Sequence, residues 1–305
     1  MVSVKAVSTN AARRSTSHPF SSHFSEGLTK LIMKIVSFII AMVALGSGSV
    51  AQQQPPIVAL ETIKSDLALV ECKNADRLES VKKLFLSKGA NADDIKVDGL
   101  RSVENIVVTK KGKTSEIIII GAHFDKSPSG CGAIDNWTGI VILANLYANF
   151  LNMATDKTLV FVGFGREEEG LIGSRAMANA IPKESRGQYC GMVNFDSFGL
   201  AYPQVLSNTS SPRMTSFAKE LAVEVKMPFS EASVTGADAD SSSFLNKEIP
   251  SITFHGLSNK WPEILHSSKD KLEAINPQSV LIGYQFGSLY LTRLDPKPCS
   301  AFRKA

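Results

Sequence analysis

From Ser102 to Leu291 short apolar runs alternate with segments of helical periodicity, and this alternation narrows the fold more than any other property of the chain. Ser102–Lys110 and Ser115–Gly121 read as strands around a Lys111-Gly112-Lys113 turn, either a hairpin or two neighbours in one sheet. The β-branched run Ile117–Ile120 marks the second as a buried strand. After it the pattern predicts a helix over Gly139–Leu151, a strand over Thr158–Gly163 and a helix over Gly170–Ala180 that stops before Pro182. Short strands at Gly191–Phe195 and Gln204–Leu206, a helix at Pro212–Val225, a strand at Ser251–Phe254 and a closing amphipathic helix at Pro277–Leu291 complete it. Upstream, Ile57–Leu86 has apolar residues at helical spacing with a break near Cys72–Ala75, which predicts two helices. Strands joined by helical crossovers imply an α/β fold. The expectation is a single globular domain with a largely parallel, mixed central sheet and helices on both faces.

In such sheets functional groups collect beyond the carboxyl ends of the strands. His123 and Asp125 follow the run Ile117–Ile120, two residues apart and so on one side of the backbone. Asp135 comes ten residues after Asp125, at the end of a glycine-rich loop and just ahead of the apolar segment Ile140–Phe150. Glu167, Glu168 and Glu169 follow the strand at Thr158–Gly163, and Asp196 follows Phe195. His255 follows Ser251–Phe254, with His266 and Asp270 further on. Any one of these could be a polar turn between strand and helix. Their recurrence at successive strand ends points to a shared crevice.

Residues 1–51 have the pattern of an address rather than of a fold. Lys34 precedes an 11-residue apolar run, Ile35–Leu45, followed by small residues and Ser49-Val50-Ala51. That run is too short to span a bilayer and suits a secretory signal cleaved after Ala51, with Met33 as an alternative start; an uncleaved anchor is the competing reading. The expected division is therefore a leader over 1–51 and a catalytic domain over 52–305. The leader contains five of the 33 Lys/Arg and one of the 29 Asp/Glu, which leaves 28 of each in the remainder. The overall net charge of +4 thus arises in the leader and gives no reason to expect nucleic-acid binding. Export would place the domain in the periplasm or outside the cell, with no stable membrane association after cleavage. All four cysteines, Cys72, Cys131, Cys190 and Cys299, lie beyond the leader. They permit two disulfides in any of three connectivities, and no Cys-x-x-Cys pair points to a cysteine metal site. Cys131, within the loop that follows His123, reads as a disulfide partner or buried thiol rather than a nucleophile.

Beyond the leader there are three histidines: His123, His255 and His266. Imidazole and carboxylate together suit zinc, and also manganese or cobalt. His123, Asp135, Glu168, Asp196 and His266 would give each of two ions one histidine and one carboxylate, with the remaining carboxylate bridging. Two ions about 3.5–4 Å apart share a water and lower its pKa. The adjacent pair Glu167-Glu168 would leave one carboxylate free to take the water's proton. His255 reads as a hydrogen-bonded structural histidine, Asp270 as a support for the ligands or a helix cap, and Trp137 and Trp261 as packing or pocket lining.

His123-x-Asp125, Gly132-Ala-Ile-Asp135-Asn-x-x-Gly139, Glu167-Glu168-x-Gly170-Leu-x-Gly173-Ser174, Asn194-Phe-Asp196 and His266-x-x-x-Asp270 occur in this order. Together they resemble the motifs of secreted bacterial dinuclear-zinc aminopeptidases. These belong to a metallopeptidase family that includes glutamate carboxypeptidases and is related to glutaminyl cyclases. The resemblance implies a phosphorylase/hydrolase-like zinc exopeptidase fold and two zinc ions, one bound by His123 and Asp196, the other by Glu168 and His266, with Asp135 bridging. It also implies that Glu167 is the general base, that Asp125 orients the His123 ring, and that the Asp135–Asn136 peptide is cis. The implied substrate is a peptide with a free N-terminus. The chain departs from the family at Asp240-Ser241, where a histidine often follows the aspartate, and has no clear counterpart of an assisting aromatic hydroxyl beyond Tyr202. A single-zinc acyltransferase of the glutaminyl cyclase kind is the alternative on the same fold. A carboxypeptidase would need a cationic pocket, for which Arg166 and Arg175 are available, and a binding module would be expected to lack ligands or base.

Overall fold

Alternate residues of a strand face opposite sides of its sheet, so four consecutive isoleucines stay out of water only if both faces are covered. Both are. In the computed structural model Ile118 and Ile120 pack into one apolar cluster and Ile119 into another, and all three are fully buried. The structure describes residues 58–100, 103–234 and 236–303, so the expected leader lies outside it. No helix among the described residues is long and apolar enough to cross a membrane.

The described residues start with two helices, Leu60–Leu67 (α1) and Asn74–Ser87 (α2), separated where the periodicity breaks. Strands Ile95–Leu100 (β1), Val103–Lys110 (β2) and Ile117–His123 (β3) follow. The apolar helix Thr138–Leu151 (α3), strand Thr158–Phe164 (β4) and helix Ile172–Ala180 (α4) come next. Strands Tyr189–Phe195 (β5) and Gln204–Leu206 (β6) precede helix Pro212–Glu224 (α5). The two-residue strand Glu231–Ala232 (β7), helix Asp240–Leu245 (α6), strand Ser251–His255 (β8) and helix Pro277–Leu294 (α7) end the series. The last helix begins with Pro277 at its first turn and Asn276 as cap, whose side chain accepts from the Gln278 amide.

The eight strands form one mixed sheet in the order β1-β2-β4-β3-β5-β8-β6-β7. Its centre, β4-β3-β5-β8, is parallel, as the helical crossovers require. One expectation fails here. β2 and β3 are neither a hairpin nor neighbours, because β4 lies between them, antiparallel to β2 and parallel to β3. The Lys111–Glu116 loop is instead tied to the residues ahead of β4: the Lys113 and Thr114 amides donate to the carbonyls of Thr155 and Asp156. Gly112 packs so closely on the Lys157 carbonyl that a Cβ would stand 2.2 Å from it. The partner of β2 on its other side is β1, antiparallel and without a strong apolar pattern of its own.

The four cysteines pair as Cys72–Cys131 and Cys190–Cys299, so none among the described residues is free. The first bond ties the break between α1 and α2 to the loop after β3. The fold therefore delivers the carboxyl ends of β3, β4, β5 and β8 to one side, with a stapled loop over the first.

Candidate metal centre

His123 is the last residue of β3 and is buried, and it points its Nε2 at the Asp135 Oδ1, 3.1 Å away. The other Asp135 oxygen, Oδ2, lies 3.1 Å from the Nε2 of His266. One carboxylate thus faces two histidines, one oxygen to each. Glu168 Oε2 is 3.1 Å from the same His266 nitrogen. Asp196 Oδ1 and Glu167 Oε2 are 3.7 and 3.9 Å from His123 Nε2. Two groups of three emerge, His123/Glu167/Asp196 and Asp135/Glu168/His266, and within each the potential ligand atoms lie within 4.8 Å of one another. Segments that follow four strands, β3, β4, β5 and β8, converge on one cluster. Exposure is uneven across the cluster: the His266 side chain is 60% exposed, that of His123 1%.

The backbone around these groups is shaped to hold them. Asp135 sits in the irregular turn Ala133–Trp137, and the Asp135–Asn136 peptide is cis, as the resemblance implied. Asp270 supports that turn: its carboxylate accepts from the amides of Ile134 (2.7 Å) and Asp135 (3.3 Å), so it is not a helix cap. Asn136 links the turn to β5, donating to the Phe195 carbonyl and accepting from the amides of Gly139 and Ser197. Gly139 is required there, since a Cβ would lie 2.3 Å from the Asn136 Oδ1. Asp125 has two tasks. Its carbonyl is 3.2 Å from His123 Nδ1 and its carboxylate 3.6 Å, but the carboxylate's shorter contacts, 2.9 and 3.1 Å, are with the amides of Glu167 and Glu168. Asn136, Ser127, whose amide donates to Glu168 Oε1, and Ser197, whose hydroxyl donates to Asp196 Oδ1, are contributors that strand-end reasoning passes over. Asn136 was within reach, as the polar residue next to Asp135; the other two carry no such signal.

The remaining candidates fall outside this arrangement. Trp137 is buried and donates its indole N–H to the Asp66 carbonyl, which makes it packing. Arg166 is paired with Glu169 at the surface, and Tyr202 is half exposed. His255 accepts the Leu257 amide at Nδ1, consistent with a structural histidine, and burial pushes its pKa down to about 4. Asp240 is fully buried at the start of α6, and burial raises its pKa to about 7.

The electrostatics show what the cluster needs. Burial alone would lower the pKa of His123, but Glu167, Asp125, Asp135 and Asp196 outweigh it and raise the pKa well above the usual value. Contacts with Asp135 and Glu168 lift His266 to about 10. Burial would raise Asp135, yet the two histidines hold it well below the usual carboxylate range. Glu167 goes the other way: burial raises its pKa well above normal, and Asp240, Asp196 and Asp135 add to the effect. Protons on both histidines are how such an acid-rich pocket balances its charge. A divalent cation balances it with neutral imidazoles as ligands, and nitrogen and oxygen donors of this kind fit zinc. The donor set, its spacing and its charge all fit a metal.

An α/β domain that gathers histidines and carboxylates at the carboxyl ends of parallel strands presents them where functional groups of this class of sheet collect. The family is set by sequence: residues 105–282 match the model of Peptidase family M28, and the chain belongs to that family. It is 27% identical over 205 residues to a probable leucine aminopeptidase of Trichophyton verrucosum, covering 62% of this chain and 57% of that protein. It spans smaller shares, 32% and 23%, of two other curated relatives. Among solved structures, a zinc aminopeptidase from Bacillus subtilis superposes with a TM-score of 0.56 at 20% identity, over 66% of this chain and 53% of that one. A glutaminyl cyclase from an Acidobacteriales bacterium superposes with a TM-score of 0.69 at 16% identity, over 82% and 99%. Such identities speak for the fold that these proteins share.

Proposed function

We propose that this protein is an exported, zinc-dependent aminopeptidase that removes N-terminal residues from peptides. The observation that carries the reading is the Asp135 carboxylate between His123 and His266, one oxygen 3.1 Å from each ring. A carboxylate so placed is suited to bridge two ions, with His123 and Asp196 completing one site and Glu168 and His266 the other. Zinc at this position would supply Lewis acidity and a water acidic enough to attack a peptide carbonyl near neutral pH. Glu167 is the general base. Its carboxylate lies 3.9 Å from His123 Nε2, has 14% of its side chain exposed, and is placed to accept a proton and then release it to the departing amine. Asp125 aligns this base through the Glu167 amide, and Asp270 and Asn136 keep the Asp135 turn in register with β5. A peptide with a free N-terminus would enter on the exposed His266 side. Export is supported by the apolar run at Ile35–Leu45 and by the pairing of all four cysteines, which suits an oxidising compartment.

The test is a panel of aminoacyl-p-nitroanilides assayed with and without chelator, with zinc counted on the purified protein. The expected result is release of p-nitroaniline that chelator abolishes and zinc restores, at two ions per chain. Turnover that persists in chelator would sink the metal reading. Pyroglutamate formation from N-terminal glutamine, with one zinc and no hydrolysis, would transfer the site to the acyltransferase class.

A further inference from the structure

Arg77 lies in α2, ahead of the residues matched by the family model, and its side chain is fully buried. Its guanidinium donates to four backbone carbonyls. Nε reaches Phe124, Nη1 reaches Glu71 and Cys131, each at 2.9 Å, and Nη2 reaches Gly132 at 3.0 Å. Phe124 directly follows His123, whereas Cys131 and Gly132 stand four and three residues before Asp135. One planar fork therefore grips both ends of the loop that joins these two groups. The ring of Trp137, two residues past Asp135, lies 5.7 Å from the guanidinium carbon. Gly132 has φ +61°, and a Cβ there would stand 2.4 Å from Lys126 Cβ, 2.9 Å from the Asp135 carbonyl and 3.1 Å from Arg77 Nη1, so the loop is tightly packed at this point.

A buried guanidinium bound only to carbonyls needs a reason, because its desolvation is costly and an apolar side chain of similar volume would pack as well. No carboxylate of the described residues forms an ion pair with it. Burial lowers its pKa to about 10, and the charges of Asp125, Asp270, Asp135 and Glu168 oppose that shift, so the cation stays charged and faces the acid cluster. The neighbouring residues of the same segment reinforce the hold: Asn74 exchanges two hydrogen bonds with the Lys126 backbone, and Cys72 is bonded to Cys131.

We propose that Arg77 is a positioning residue for the metal centre, fixing the 124–132 loop so that His123 and Asp135 present their ligand atoms to a divalent cation at the right separation. This rests on the metal-site reading above. A lysine keeps the charge but cannot fork between carbonyls, so it separates the two contributions.

The experiment uses the full chain with Arg77→Lys and Arg77→Met. Zinc affinity is measured by competition with a chromophoric chelator, and melting temperature with and without added zinc. Both variants are expected to bind zinc about 10–100-fold more weakly, as when a support of a metal ligand is removed. The rise in Tm on adding zinc should shrink accordingly. A purely structural arginine would lower the Tm of metal-free and zinc-loaded protein alike and leave zinc affinity unchanged; that outcome overturns the proposal. If Arg77→Met does not fold, Arg77→Lys, which keeps the stem and the charge, decides alone. Wild-type protein that binds no zinc would remove the metal reading itself, whereas normal wild-type binding with unaltered variants would remove only the role of Arg77.

Discussion

At the amino end of β4 the Asp295 carboxylate accepts from the amides of Asp156 and Lys157, both at 2.8 Å. The Lys157 ammonium reaches the Asp295 carbonyl at 2.5 Å and the Glu116 carboxylate at 3.4 Å. At the carboxyl end of the neighbouring strand β3, Asp135 faces His123 and His266, with Glu167, Glu168 and Asp196 close by and no lysine or arginine paired to any of these four acids among the described residues. The two ends use the same kinds of residue. Near Lys157 each acid meets a donor or a cation from the chain itself, and the ensemble is complete. Near His123 four acids face two histidines, an excess of negative charge that a divalent cation would offset. The difference separates a region built for stability from one built to bind.

The largest effect expected from this contrast is at Glu167. Glu167→Gln keeps the shape and hydrogen-bonding reach of the side chain but removes the base, and turnover should fall by about 10²–10⁴. Zinc content should stay at the wild-type level, because the ligands assigned to the ions are untouched. Steady-state kinetics beside metal analysis checks both halves. Wild-type turnover in this variant would show that the excess of acid at this end serves binding alone.

A smaller effect is expected at Asp125, which joins His123 to the Glu167-Glu168 turn. Asp125→Asn can accept at one oxygen only, so one of the two amides it now holds, those of Glu167 and Glu168, loses its partner. Zinc affinity should weaken about 10–100-fold, as for other groups that orient metal ligands. Chelator competition measures it. An unchanged affinity would mean that the turn holds its shape without Asp125, and the carboxyl end would then be less interdependent than the geometry implies.

What was legible in advance follows the same division. His123, Asp135, Glu168, Asp196 and His266 could be picked out because each lies just beyond an apolar strand or in a motif of fixed spacing, and parallel sheets collect such residues at one end. The structure brings all five together. Strand order was not legible: that β4 slips between β2 and β3 depends on pairings between segments about 50 residues apart, which no local pattern records. β1 was missed because Ile95-Lys-Val-Asp-Gly-Leu100 mixes its signals, and the disulfide connectivity was open for the same long-range reason. The support shell was the least visible part. Arg77 reads locally as one more polar residue of an amphipathic helix, and only the folded loop shows four carbonyls waiting for it.

The smallest effect on turnover is expected at Asp295, where the contrast predicts stability without function. Asp295→Ala would strip the Asp156 and Lys157 amides of their acceptor, while the Lys157 ammonium keeps the Asp295 carbonyl and the Glu116 carboxylate. Loss of a partner for buried donors costs about 1–3 kcal/mol, so denaturant unfolding should show a lower midpoint. The kcat/KM and zinc affinity should match wild type, since the variant lies at the opposite end of the strands from Asp135. A drop in zinc affinity comparable to that of Asp125→Asn would mean that the ends of β4 are mechanically coupled. The division into a stabilising end and a binding end would then have to be abandoned.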